Sequence, residues 1–273
     1  MRWASSRCSY GGSKQTFSFV LTDTVVLQRQ KPVKWLFTSK QERGKILCKT
    51  KKFLTTSRIL REFLVPKWAP NTLPRLENDQ QILATYAYLD RSSGFGEMHM
   101  VVEHLDKAAL EHLLEEREKP GLSVLQRFIP TQSGYNHTVR SVYTADYCTV
   151  QKCISPFLLS DTRASVAQRT ATFEVNDPLL RHRDVTDKEI QKAIERINEE
   201  MTNHLESIVG KEMVRFVNYF KVTHRSIIQQ FERGYVEKNS DEDVESIPTL
   251  LRAISGPIQV DRFKQLKQSA TYL

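Results

Sequence analysis

A chain of 273 residues with 40% hydrophobic and 26% charged side chains has the composition of a folded globular protein, which excludes a disordered polymer. No apolar run approaches the roughly 20 residues that a membrane-spanning helix needs. The net charge of +8 is unevenly placed: residues 1–67 hold 15 Lys and Arg against Asp23, Glu42 and Glu62, a local +12, so the remaining residues sum to −4.

The start of the chain lacks the apolar core of a secretory leader, and Cys8, Cys48, Cys148 and Cys153 form no Cys-x-x-Cys pair. Reduced thiols are therefore expected, in the cytoplasm or the nucleus, with the cytoplasm the expected location. The acid-poor, Arg- and Ser-containing first residues make a mitochondrial presequence the alternative. Residues 17–27 alternate through Phe17, Phe19 and Leu21 to Val25 and Val26 as a strand does, and Pro32 precedes a second short strand or loop at 33–37. From Lys40 to Lys67 nine cations face two acids. Ser57 is the expected cap of a short helix carrying Ile59, Leu60, Phe63 and Leu64. Pro66, Pro70 and Pro74 then predict an extended connector, since each biases its predecessor away from helix and has no amide to donate.

Residues 82–89 and 97–105 read as a hairpin about the turn-rich Asp90 to Gly96. Asp106 is the expected cap of a helix with Ala109, Leu110, Leu113 and Leu114 on one face, ended by Pro120 and Gly121. Residues 122–129, 138–143, 147–154 and 166–175 predict four more strands, with spacers that suit antiparallel pairing. Cys148 and Cys153, five apart on one strand, should point to opposite faces, which argues against a shared metal.

The best-specified element is 186–209. Thr186 and Glu189 have the spacing of a capping box, Ile190, Ile194, Ile197, Met201, Leu205 and Ile208 form an apolar stripe, and Gly210 follows as a C-terminal cap. Residues 211–232 fit either a continuation of that helix or a hairpin turning at 223–226. The β-branched and aromatic content, with Gly210 before it, favours the hairpin. Residues 239–245 are acidic, 247–254 read as a short helix and 256–273 as a tail.

These elements predict an α+β fold: an antiparallel sheet of roughly six to eight strands with two amphipathic helices on one face, preceded by a basic N-terminal arm. The expected organisation is a basic segment at 1–65, a proline-rich connector at 66–78, the α+β domain at 79–236, and an acidic loop, short helix and tail at 237–273.

No local signature of catalysis, cofactor or metal emerges. His99, His104 and His112 lack metal-ligand spacing, and Ser92-Ser93-Gly94-Phe95-Gly96 precedes a strand rather than the helix that a phosphate loop needs. Two sets remain. Lys45, Lys49, Lys51, Lys52, Arg58 and Arg61 are candidates for polyanion binding through counterion release. Tyr135, Arg140, Tyr143, Tyr147 and Lys152 are candidates for a sheet face that stacks bases and neutralises phosphates. The reading expected from these sets is a non-catalytic interaction or scaffold protein whose basic arm engages an acidic partner surface, such as a cytoskeletal polymer. An RNA-binding protein is the alternative, and an enzyme with dispersed catalytic residues the second.

Overall fold

In the computed structural model the described residues are 18–39, 41, 44–65, 81–90, 99–119, 121–131, 133–174, 177–210, 212–222, 227–230 and 236–238. The expected features at 1–16, 66–78, 91–96 and 239–273 lie outside them.

Two sheets share one interior. The first has the order β4-β3-β2-β7-β5-β6, formed by Ile46–Cys48 (β4), Lys31–Thr38 (β3), Thr24–Gln28 (β2), Leu122–Arg127 (β7), Ala84–Asp90 (β5) and His99–Leu105 (β6), antiparallel at every step. The second runs β1-β12-β11-β8-β9-β10, from Val20–Leu21 (β1), Ile227–Gln230 (β12), Met213–Val222 (β11), Tyr135–Thr144 (β8), Cys148–Leu158 (β9) and Arg181–Asp184 (β10), with Val236–Lys238 (β13) also paired to β11. Its pairings are antiparallel except β1 with β12.

The single sheet expected from the sequence is thus two, and residues 20–48 are built into them rather than forming an arm. The reason is visible in β2. Its Val25 and Leu27 face one way and Val26 the other, and all three are buried, because the first sheet is covered on both faces. One cover is a pair of helices, Thr56–Leu64 (α1) and Lys107–Glu115 (α2). Ile59, Phe63, Leu110, Leu113 and Leu114 pack there on Val25, Leu27, Trp35, Tyr86 and Leu125.

The opposite cover is the long helix Lys188–Val209 (α4). Ile194, Ile197, Met201 and Leu205 belong to one continuous cluster with Val26, Ala87, Val102 and Val124 of the first sheet and Val139, Val150, Phe216 and Phe220 of the second. The helix stripe read from the sequence is therefore the centre of the molecule. Asp187, one residue later than expected, is the cap: its Oδ1 accepts the amides of Glu189 at 2.9 Å and Ile190 at 3.2 Å, so Thr186 forms no box. A carboxylate offers two acceptor oxygens and a favourable charge at a helix start. Gly210 ends the helix at φ 69°, the left-handed conformation in which a side chain is strained.

The β11–β12 hairpin and the β5–β6 hairpin match expectation. Asp106 caps α2, accepting from the Ala109 amide at 2.9 Å. At α1 the N-cap is Thr55, not Ser57, and its side chain makes no capping bond. The strand expected at 166–175 is instead the short helix Val166–Arg169 (α3), started by a complete capping box between Ser165 and Gln168. That local pair of bonds outweighs the β propensity of the segment.

Candidate functional site

The basic segment after β4 is mounted on the first sheet. A 3-10 turn at Lys51–Phe53 leads into α1, whose Phe63 meets the ring of Trp35 at 6.2 Å between centroids. From β7, Arg127 reaches beneath the helix end and donates to the carbonyls of Phe63 at 3.3 Å, Val65 at 2.9 Å and Glu62. Its Nε also binds Asp23 Oδ2 at 3.2 Å, and Asp23 Oδ1 accepts Trp35 Nε1 at 2.9 Å. A cation at the C-terminal end satisfies carbonyls that the helix leaves open and complements its dipole. Burial lowers the Arg127 pKa and Asp23 opposes the shift, so the guanidinium stays charged.

The six predicted cations separate on this mount. Lys51, Lys52 and Arg61 are exposed, and Lys52 and Arg58 lie 5.3 Å and 5.1 Å from the Phe53 ring. Arg58 also sits 4.0 Å from Glu62. Lys45 is half-buried. Lys49 is turned inward: its Nζ is 3.3 Å from the Trp35 ring centroid and 3.8 Å from Asp23. The cation–π and ionic contacts make it part of the mount rather than of the outer surface.

The predicted sheet-face set is divided by the strand period. Residues directly opposite in a ladder share a face, and Val139 pairs with Lys152, Arg140 with Gln151, and Tyr143 with Cys148. Tyr143 and Lys152 therefore lie on the α4 side and Arg140 on the other. There Arg140 sits 4.3 Å from the Phe173 ring and donates to Gln151 Oε1 at 2.7 Å. Tyr147 is exposed in the β8–β9 turn, and Tyr135 is exposed beyond a bulge at the other end of β8. One base-stacking face cannot be assembled from these five.

A buried polar centre was not anticipated. Lys221 of β11 is fully buried, and its Nζ donates to Asn136 Oδ1, the His137 carbonyl and, at 3.3 Å, Thr138 Oγ1. It lies 5.7 Å from the Phe128 ring, against which His104 packs edge-on at 5.6 Å. Burial first, then the charge of Lys221, lowers both His104 and His137 to about 3. Among the described residues, His104 Nε2 and Asn136 Nδ2 have no hydrogen-bond partner. Imidazoles this weakly basic are neutral at pH 7 and poorly matched to general acid–base work there. Their chemistry is that of an internal brace between the sheets. The sequence signal was a lysine set between apolar residues in Tyr219-Phe220-Lys221-Val222, a charged side chain inside a strand core.

Cys148 and Cys153 do point to opposite faces. The Cys148 thiol packs beneath α4, 3.7 Å from Asn198 Nδ2, and burial pushes it up to about 11. Cys153 is fully buried, 3.9 Å from His182 Nε2. Among the described residues no group of three or more His, Cys, Asp and Glu is placed to hold a metal ion, and no helix is long and apolar enough to cross a membrane.

A comparison with protein-family models and with curated proteins finds no match for this chain.

Proposed function

We propose that the protein is a non-catalytic interaction module that engages an acidic partner surface, such as that of a cytoskeletal polymer, through the ridge at Lys51, Lys52 and Arg61. The observation that carries this reading is the contrast between mount and ridge. Lys49 and Arg127 are spent on buried contacts that fix α1 to the sheet, while Lys51, Lys52 and Arg61 project from that fixed base into solvent. Exposed cations carried on a turn and a helix that are fixed to the sheet require little backbone ordering on meeting a polyanion and gain counterion release.

The reading is tested with poly-glutamate and a single-stranded oligouridylate as probes, titrated at several salt concentrations. The triple variant K51E/K52E/R61E is expected to weaken poly-glutamate binding and flatten its salt dependence and, for a reading as an interaction module, the oligouridylate should bind at least tenfold more weakly than poly-glutamate. Preference for the oligouridylate would replace this reading with RNA binding. Poly-glutamate affinity and salt dependence left unchanged by the triple substitution would remove the ridge from the account.

A further inference from the structure

Strand β10 ends the path of the second sheet. Its one described ladder is with β9, in the register Arg181 with Ile154, His182 with Cys153, Arg183 with Lys152 and Asp184 with Gln151. All four of its residues are exposed, and among the described residues no backbone bond is made on its outer side. Among the described residues it is an edge with open donors and acceptors.

The side chains on that edge are ordered by the strand period. Arg181 and Arg183 are two apart and project on the same face, and Lys152 lies beside Arg183 on that face, since the paired residues share it. Among the described residues no acid pairs with Arg181 or Arg183. The acid of the strand, Asp184, projects on the other face, where Gln151 Nε2 is 3.5 Å from its Oδ1. His182 projects there too, its ring 5.3 Å from that of Phe173.

Cations on an edge strand ordinarily keep other strands away. The same cations select for one class of newcomer: a strand that brings a carboxylate at every second residue pairs its backbone with β10 and its acids with the arginines. We propose that β10 is a docking edge for an acidic extended peptide, which adds as a further strand with alternate carboxylates opposite Arg181 and Arg183. This surface belongs to the second sheet and does not depend on the ridge at α1.

The probe is an end-blocked octapeptide alternating Glu and Val, compared with two N-methylated forms, one methylated at every Glu and one at every Val. Methylation leaves the charge and removes donors that strand addition requires on one of the two phases. Binding of the unmodified peptide to the full chain is expected to fall at least tenfold for one methylated form, and at least tenfold for R181E/R183E. In the K51E/K52E/R61E background, where the ridge at α1 no longer contributes, octapeptide binding should remain and should still fall at least tenfold on adding R181E/R183E. Equal binding of both methylated forms would show attraction by charge alone and overturn strand addition. Insensitivity to R181E/R183E would take the edge out of the interaction. A dimer in light scattering that R181E/R183E dissociates would assign the edge to a second copy of the chain and overturn the proposal. Both arginines are exposed, so an unchanged melting transition confirms that the variant is folded.

Discussion

At the scale of single residues, the proposed binding ridge depends on charges that never reach it. Asp23 holds Arg127 and Trp35 together, and Arg127 in turn holds three carbonyls at the end of α1. Both members of the Asp23–Arg127 pair are buried, so removing the carboxylate leaves a desolvated guanidinium and an unpaired indole N–H. Asp23→Ala is expected to cost about 3–5 kcal/mol of stability, measured by urea denaturation. A loss below about 1 kcal/mol would show that the pair is solvated and that α1 is held by apolar contacts alone. The same network explains why the six cations of the basic segment are not equivalent. Charge and spacing mark all of them in the sequence, but only the fold shows that Lys49 covers Trp35 while Lys51 and Lys52, two and three residues on, do not.

At the scale of elements, α4 carries the most information. Ile197 is 1% exposed, at the junction of both sheets, and Ile197→Asp is expected to unfold the protein, read as loss of the cooperative melting transition and of the native circular dichroism. Asp187→Ala should cost about 1 kcal/mol by removing the acceptor for two orphan amides. A native-like melt for the first variant would displace α4 from the core. This helix and the hairpin after it were legible because a wide apolar stripe, a left-handed glycine and a run of β-branched and aromatic residues are local signals. Three other elements were not. α3 is a single turn whose capping box outweighs its composition. β10, Arg181-His182-Arg183-Asp184, has no apolar alternation because both of its faces are exposed. The division of strands between two sheets is invisible to a period of two, which fixes the face of each residue but not its neighbour strand. Residues 20–48 therefore read as an arm, although β2 lies between β3 and β7.

At the scale of the whole molecule, the brace around Lys221 predicts an acid limit. His104 and His137 have folded pKa values of about 3, below the ordinary value of 6.5, so the unfolded chain binds more protons throughout that interval. Their contribution to stability is complete above pH 6.5 and is lost as pH falls towards 3, with a slope of about 1.4 kcal/mol per pH unit for each histidine. Chemical denaturation between pH 7 and pH 4 should show this decline, and H104F/H137F should flatten it. An unchanged slope in that variant would place the acid sensitivity elsewhere.

The chain passes from the second sheet to the first within two residues, since β1 ends at Leu21 and β2 begins at Thr24. β1 pairs with Ile228 and Gln229, and β2 with Leu122 to Gln126. Each sheet thus borrows a strand from the start of the chain and completes it much later. On a ribosome adding about 5–20 residues per second, Val25, Leu27 and Trp35 wait roughly 5–20 s for β7. Val20 and Leu21 wait for about twice as much chain. The two sheets are consequently one folding unit, and the nascent chain carries an unburied apolar surface through most of its synthesis, the period in which a chaperone has something to hold.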